Sequence, residues 1–367
     1  MKDKRNSKVE MMRLVLMYGI VLCHFCVHGI LSQEIKFSFS LNYIVCNFMG
    51  ILGPIGNNVF MLLSGFFMVK SRPSINKIRR LHAEVLFYSW FFIVIGAMLH
   101  LLTVKNTIKA FFPVFFGENW YVSTYIMFSF FIPYVNMLIE HTTKKGHQVL
   151  IMLLLLVYCI IPSFGGETYF ETYFSGFFTM YVIGAYFKIY GFEKIKGKII
   201  RVVLVAAFSL KLFIIAVLAY LNCNYNSEVY SKLLLGTRSN NSILIVIISS
   251  AILIIGLSGK ESYDKISSII NGISPSVLAV YLIHDNEIGR ILIWQLIIPN
   301  VELYFTRYFI CFMFIKSIIV FGVCLAFDIG KRLIERRIVL RLSLLNKGLY
   351  KKELNVFHYD RNDLFSN

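Results

Sequence analysis

The stretch from Val9 to Gly29, VEMMRLVLMYGIVLCHFCVHG, is the first strongly apolar stretch of this chain and indicates its fold class. It is long enough to cross a bilayer as a helix, which needs about 20 mostly apolar residues. The same stretch holds Glu10, Arg13 and His24. Ionisable side chains are costly within lipid and mark a ligand site or an ion path when they occur there. The stretch therefore predicts a first transmembrane helix that carries functional groups.

The ionisable residues of this helix fall on one face. Arg13 and His24 are eleven residues apart, about 1100° of helical rotation, so they share a face to within roughly 20°. They are also separated by about 16 Å along the helix axis. Glu10 lies one turn before Arg13, and His28 lies one turn after His24. We predict a polar stripe with Arg13 near one membrane surface and His24 deeper, toward the other.

The whole chain has the composition of a polytopic membrane protein. Of its 367 residues, 57% are hydrophobic and only 16% are charged, against about 25% charged in ordinary soluble domains. The predicted fold is an all-α bundle of about ten transmembrane helices over residues 1–330. Apolar runs place these spans near Val9–Val27, Tyr43–Met68, His82–Leu102, Trp120–Ile139, Gln148–Ile161, Phe174–Tyr190, Ile199–Leu221, Ser242–Leu257, Pro275–Ile298 and Phe305–Phe327.

Membrane topology explains the net charge of +17. If the N-terminus is cytoplasmic, most lysines and arginines fall in inner loops and in the C-terminal tail, and few fall in outer loops. This alternation follows the positive-inside rule with both termini in the cytoplasm. A nucleic-acid partner is not needed. Residues 331–367 are predicted to form a basic amphipathic tail that contacts membrane lipid.

Two other interpretations of the first span are less well supported. A cleaved signal peptide fits the basic start, but Glu10 and Arg13 interrupt the apolar run and no small-residue cleavage pattern follows. Cys23 and Cys26 form a C-x-x-C pair around His24, but no second pair of cysteines follows elsewhere. We therefore predict neither a metal site nor a disulfide framework.

Three further segments are candidates for a site. The inner loop with Lys77, Arg79 and Arg80 is either a simple positive-inside loop or a basic pocket for phosphate groups. In the second span, the polar residues Asn57 and Ser64 serve either binding or helix packing.

The third segment is Tyr281-Leu282-Ile283-His284-Asp285-Asn286-Glu287, followed by Arg290. Glu287 is three residues from both His284 and Arg290, which predicts local pairing within one helix. The alternative is an ion pair where the helix meets water.

Four motifs together resemble the acyltransferase 3 family of bacterial membrane proteins. In chain order they are Arg13-x10-His24, Phe60-x3-Ser64-Gly65-Phe66-Phe67, Trp120-Tyr121 and Tyr281-Leu282-Ile283-His284. The resemblance covers nearly the whole chain. It implies a multi-pass enzyme of the bacterial plasma (inner) membrane that transfers an acyl group, usually acetyl, from cytoplasmic acyl-CoA. The expected acceptor is a hydroxyl of a cell-surface or exopolysaccharide sugar, polymeric or lipid-linked, and no permanently bound cofactor is expected.

The resemblance also implies roles for individual residues. Arg13 and His24 correspond to the family's functional arginine and histidine. In the mechanism that we expect, Arg13 binds the CoA phosphates together with Lys77, Arg79 and Arg80. His24 is either a general base or a transient acyl carrier.

Other residues are expected to support these two. His284, Asp285 and Glu287 are predicted to orient His24 or to bind the sugar. The remaining predicted substrate-binding residues are Glu10, Asn57, Ser64, Trp120, Tyr121 and Tyr125. The last three are expected at an outer helix end, opposite to Arg13, where they either stack on a sugar ring or belong to an interfacial aromatic belt.

Two other functions are compatible with buried charges in a membrane protein. A transporter or flippase for a polar or anionic substrate also places ionisable residues across its spans, but the sequence has no clear internal repeat of the kind common in transporters. A non-catalytic membrane scaffold does not account for the depth of His24.

Overall fold

The computed structural model describes residues 6–71, 73–163, 172–193, 195–258, 265–297 and 300–345. These residues form helices and no β-strand, which confirms the predicted all-α class. The basic residues Lys2, Lys4, Arg5, Arg72, Lys194 and Lys260, and the part of the predicted tail after Leu345, lie outside the described residues.

The first half of the chain forms helices α1 to α9. Their bounds are Ser7–Cys26 (α1), Leu41–Met49 (α2), Leu52–Met68 (α3), Ile75–Met98 (α4), Val104–Phe111 (α5), Trp120–Ser129 (α6), Ile132–Glu140 (α7), Lys144–Leu155 (α8) and Ile161–Ser163 (α9). A π-helical turn, Val27–Leu31, extends α1, and another, Leu156–Ile160, joins α8 to α9.

The second half forms helices α10 to α18. Their bounds are Tyr173–Tyr190 (α10), Gly197–Tyr225 (α11), Glu228–Gly236 (α12), Ile243–Leu257 (α13), Lys265–Ile273 (α14), Val277–His284 (α15), Glu287–Arg290 (α16), Asn300–Tyr304 (α17) and Phe309–Leu345 (α18). A 3-10 turn, Ser274–Ser276, joins α14 to α15, and a π-helical segment, Ile291–Leu296, follows α16.

Within the described residues, seven helical stretches are long and apolar enough to cross a membrane, or eight if the bent pair α6 and α7 counts as one span. This supports a multi-pass membrane protein with about seven spans by length and composition. Each of the ten predicted segments contains a helix, but some of them fall short of a simple span. Helices α6 and α7 are bent by 59°, α13 has only 15 residues, and tyrosines and a lysine make α10 less apolar than the seven.

Helix α1 lies at the centre of the fold, where it contacts α3, α13, α14, α15 and α18. Its N-terminus is fixed by Asn6, whose side-chain oxygen accepts hydrogen bonds from the main-chain N–H groups of Lys8 and Val9. Most of α1 is buried, including Glu10 and Arg13. The polar stripe therefore faces other helices of this protein, as a membrane-buried ionisable group generally does.

Helices α3 and α10 pack against each other at two glycines. A Cβ atom at Gly65 would overlap the main-chain carbonyl of Tyr181, and a Cβ atom at Gly184 would overlap that of Leu62. Small residues let two helix backbones approach this closely within a membrane. The Ser64-Gly65 motif thus fixes the distance between α3 and α10.

We expect Gly65→Ala to destabilise the protein by about 1–3 kcal/mol, because the added methyl group forces the two backbones apart. Thermal unfolding of the purified protein in detergent measures this loss. The matched control is Gly322→Ala in α18, since a Cβ atom there meets nothing within 4 Å. An unfolding temperature for Gly65→Ala equal to that of Gly322→Ala would contradict the close crossing.

Helix α18 passes through residue 331, the predicted start of the tail, without interruption. Lys331 pairs with Glu84 at 3.3 Å, and Arg332 Nη1 lies 3.1 Å from the hydroxyl of Ser276. Both basic side chains are largely buried against other helices. The start of the predicted tail therefore belongs to the helical bundle, and lipid contact by the residues that follow stays a prediction.

Candidate functional site

Three side chains converge around His24. His24 lies on α1, His28 on the π-helical turn that extends it, and His284 is the last residue of α15. His24 Nδ1 is 2.9 Å from His284 Nε2, and the ring centroids of His24 and His28 are 4.8 Å apart. Asp285 Oδ1 is 3.3 Å from His24 Nδ1 and 3.6 Å from His28 Nε2. We call these four residues the histidine cluster.

The hydrogen-bond partners of His24 and His284 determine which of their ring nitrogens carry protons. His284 Nδ1 faces the main-chain oxygen of Val280, which can only accept, so this nitrogen carries the proton. In the neutral ring, His284 Nε2 is then an acceptor, and His24 Nδ1–H donates to it. Asp285 Oδ1, the other neighbour of His24 Nδ1, is also an acceptor. His24 thus keeps its lone pair on Nε2, as a general base requires.

Asp285 is held as a buried, paired carboxylate. Its side chain is 1% exposed, and Arg290 Nε donates to its Oδ1 at 2.8 Å. A buried charge needs such a partner because it has lost its hydration. The pair leaves a carboxylate beside His24 that can stabilise a positive charge on the imidazole ring.

The chain turns sharply just after His284 because Asn286 starts a new helix. Its side-chain oxygen accepts from the main-chain N–H groups of Ile288 and Gly289. Its side-chain amide donates to Glu118 Oε1 at 2.7 Å. Glu118 Oε2 in turn accepts a hydrogen bond from Ser89. Residues from α4, α16 and the segment before α6 thus fix the turn that carries Asp285.

This break corrects the pairing expected from a single helix over Pro275–Ile298. Because α15 ends at His284, Glu287 does not lie one helical turn after His284; it begins the next helix, α16. Its carboxylate pairs with Lys109 at 3.3 Å and is 45% exposed, whereas Arg290 bonds Asp285. Glu287 therefore lies at the edge of the histidine cluster, and its catalytic role stays a prediction.

A separate cleft surrounds Arg13 at the other end of the polar stripe. It is an open cleft whose empty space, with the open mouth included, is about 600 Å³. Arg13 Nη1 pairs with Glu10 Oε1 at 2.8 Å, and both side chains are largely buried. The cleft is lined by Arg13, Phe60, Leu63, Ser64, Phe67, Met68, Pro73, Ser74, Lys77, Ile78, Leu81, Tyr125 and Ser129.

Aromatic rings connect the cleft to the histidine cluster. Phe60 lines the cleft and its ring centroid is 6.4 Å from that of Tyr121. The ring of Tyr121 is 6.3 Å from that of Tyr281, which is 6.5 Å from the ring of His284. The main-chain N–H of Tyr121 also faces the Tyr281 hydroxyl at 3.4 Å. We call Phe60, Tyr121 and Tyr281 the aromatic layer.

The structure brings seven of the fourteen predicted residues into one of these two places, and Glu10, Tyr121 and Glu287 lie next to them. Ser64, Lys77 and Tyr125 join Arg13 in the cleft, although Tyr125 was expected at the opposite helix end with Trp120 and Tyr121. The difference arises because α6 runs from the level of Tyr281 toward the Arg13 end. His284 and Asp285 join His24.

Four predicted residues lie elsewhere. Asn57 is oriented toward Asn240, with 3.5 Å between its Nδ2 and the Asn240 Oδ1. Trp120 stacks on Tyr173 with centroids 4.3 Å apart. Arg79 is exposed and Arg80 is half-buried, and neither lines the cleft. Binding roles for these four stay predictions.

Glu118 and His28 are the site residues that the sequence does not single out for a role. Glu118 is distant in sequence from Asn286, and only the fold reveals their contact. The sequence placed His28 on the same helix face as His24, but the proximity of His28 to Asp285 depends on the turn after α15.

A comparison with protein-family models identifies the family of this chain. The acyltransferase domain of the acyltransferase 3 family matches residues 6–329, a range that contains the cleft, the aromatic layer and the histidine cluster. No curated protein and no solved structure matches the chain. Since the matched range is nearly the whole chain, this membrane protein belongs to the acyltransferase 3 family.

Proposed function

We propose that this protein is an O-acyltransferase that moves an acyl group, usually acetyl, from cytoplasmic acyl-CoA to a hydroxyl of a cell-surface or exopolysaccharide sugar. The observation that carries the proposal is the arrangement along α1. Arg13, in the basic cleft, and His24, in the histidine cluster, lie on one helix, about 16 Å apart along its axis. The aromatic layer lies between the cleft and the cluster.

The cleft is suited to the donor. Arg13 and Lys77 supply positive charge and several hydrogen-bond donors for phosphate oxygens, and Ser64 and Ser129 add hydroxyl groups. Arg79 and Arg80 on the same helix as Lys77 would meet the part of the nucleotide that extends outside the cleft. The apolar walls, including Phe60, suit the thioester arm. The arm would reach the histidine cluster by displacing rings of the aromatic layer.

The histidine cluster is suited to activating the acceptor. A sugar hydroxyl is a poor nucleophile at neutral pH and requires a base. His24 Nε2 would take its proton while the hydroxyl oxygen attacks the thioester carbon and the CoA thiolate leaves. His284 holds the Nδ1–H of His24, and the carboxylate of Asp285 offsets the positive charge of the resulting imidazolium. The proton then passes to the thiolate.

A covalent route uses the same residues. His24 Nε2 attacks the thioester, forms a cationic acyl-imidazolium and releases CoA thiolate. The sugar hydroxyl then takes the acyl group, and its proton passes to the thiolate. Both routes need the Nδ1–H of His24 to be held by His284, so the two routes make the same demand on the cluster.

For topology, we propose a cytoplasmic N-terminus with Arg13 at the cytoplasmic side. Counting the bent pair α6–α7, the less apolar α10 and the short α13 as membrane segments brings the seven stretches to ten. An even number of segments returns the C-terminus to the cytoplasm, in agreement with the positive-inside rule. The plasma (inner) membrane of a bacterium is the proposed location.

The proposal is tested with purified protein in vesicles, radiolabelled acetyl-CoA outside and an oligosaccharide acceptor inside. Acyl transfer predicts labelled oligosaccharide and stoichiometric release of free CoA thiol, and omission of the acceptor is the control. Label that enters the vesicles as intact acetyl-CoA would instead support a transporter. If a panel of acyl-CoA donors and sugar acceptors yields neither transfer nor CoA release, the enzyme proposal is wrong.

A further inference from the structure

We propose that the histidine cluster is also a binding site for a divalent metal ion, that Zn²⁺ is the ion that fits it best, and that bound Zn²⁺ inhibits acyl transfer. The ligands are His24, His28 and Asp285. One ligand atom from each residue lies within 4.8 Å of the other two. The inhibitory part of the proposal rests on the proposed function, whereas metal binding does not.

The donor set and its spacing fit zinc. Zinc binds histidine nitrogen and carboxylate oxygen at about 2.0–2.2 Å in a tetrahedron, which sets ligand atoms about 3.4 Å apart. Asp285 Oδ1 is 3.3 Å from His24 Nδ1 and 3.6 Å from His28 Nε2. The ligand atoms of His24 and His28 lie within 4.8 Å of each other, and the His28 side chain, which is 25% exposed, would have to rotate to bring them to the zinc spacing. With three protein ligands, a fourth position is left for water.

The cysteines of the C-x-x-C pair take no part in this site. Cys23 and Cys26 are buried, and Cys23 Sγ donates to the main-chain oxygen of Gly50. The sequence indicated no metal site because His28 and Asp285 are far apart in the chain, and the turn after α15 brings them together.

Metal binding and base catalysis exclude each other in this geometry. In the resting cluster the proton of His24 is on Nδ1 and the lone pair is on Nε2. Zinc at Nδ1 needs that lone pair, so the proton must move to Nε2 and the hydrogen bond to His284 breaks. His24 remains neutral but presents N–H instead of a base to the substrate.

Arg290 makes the site weaker than a permanent zinc site. Its Nε donates to the same Asp285 Oδ1 that faces both histidines. The guanidinium repels the metal and competes for the oxygen. Neutralising it should therefore tighten zinc binding, whereas removing His28 should weaken it.

Zinc chloride titrated into the chelator-treated full-length protein in detergent tests the site by calorimetry. Wild type should bind one Zn²⁺ at the cluster, His28→Asn should bind about tenfold more weakly or worse, and Arg290→Gln more tightly. His141→Asn is the matched control, since His141 is an exposed histidine far from the cluster in sequence and should leave zinc binding unchanged. In the transfer assay each protein is compared with its own zinc-free rate, and His28→Asn should need about tenfold more Zn²⁺ than wild type for the same fractional inhibition.

The results separate the two proposals. Zinc affinity of His28→Asn equal to that of wild type overturns the metal site, whether or not the protein transfers acyl groups. Weaker binding by His28→Asn supports the site even if no transfer is ever found. If zinc binds at the cluster but the transfer rate of wild type is unchanged, the inhibitory mechanism is wrong.

Discussion

Replacing His24 by alanine is expected to lower the rate of acyl transfer by about 10²–10⁴-fold, the usual contribution of a general base. The loss should appear in kcat, because His24 lies in the histidine cluster and does not line the cleft around Arg13. The dissociation constant for acyl-CoA should stay close to that of wild type. Steady-state transfer kinetics and equilibrium binding of CoA measure the two quantities separately.

The control for this variant is His141→Ala, in which an exposed histidine at the end of α7 is removed. It should transfer at the wild-type rate. Normal turnover by His24→Ala would contradict the catalytic role of His24 but would leave the family assignment intact. A large loss of CoA affinity would place His24 in the donor site.

Arg13→Gln is expected to weaken CoA binding by about 10- to 100-fold, because hydrogen bonds to charged groups contribute roughly 1.5–3 kcal/mol each. Arg13 is the more buried of the two cations on the wall of the cleft. The acceptor should bind as it does to wild type. Competition between labelled acetyl-CoA and free CoA measures the donor affinity, and the KM for the oligosaccharide measures that of the acceptor.

Removing Arg13 also leaves Glu10 as a buried carboxylate without its guanidinium partner, which by itself can destabilise the protein. The double variant Glu10→Gln, Arg13→Gln removes both charges and should fold like wild type while still binding CoA weakly. Arg201→Gln, at an exposed arginine of α11, is the control that should not change binding. Weaker binding of the acceptor than of CoA would reverse the proposed orientation of the site.

The first helix shows how far the sequence reaches. Helical periodicity is a local property, so the shared face of Arg13 and His24 and their separation could be predicted from spacing alone. The all-α membrane class could also be predicted, because long apolar runs are visible in the sequence without knowledge of how the helices pack. The number of simple spans could be predicted only less accurately, because hydropathy does not detect the bend between α6 and α7.

The contacts that make the site depend on packing between distant segments. The pairing of His24 with His284 requires α15 to lie beside α1 and to end at His284, and the break is caused by the cap at Asn286. The sequence contained Asn286, but an asparagine within a run of polar residues does not by itself reveal a helix start. Glu118 contributes through a contact that no local pattern indicates.

The cleft also depends on packing between segments that are distant in the sequence. Ser64 and Tyr125 come from different helices and meet Arg13 only after α3 and α6 have packed. The Trp120 ring, for which the sequence left open a sugar contact or an interfacial aromatic belt, stacks on Tyr173 from α10. The sequence identified residue types suited to binding, and the fold decided which of them share a wall.

The central claim is that His24 acts as the reactive group because His284 holds its Nδ1–H, and a double-mutant cycle of these two residues tests it most directly. Transfer rates are measured for wild type, His24→Ala, His284→Ala and the double variant. If His284 acts only through His24, His284→Ala lowers the rate in the wild-type background and has no further effect in the His24→Ala background. Equal losses from His284→Ala in both backgrounds would contradict the claim, because His284 would then act independently of His24.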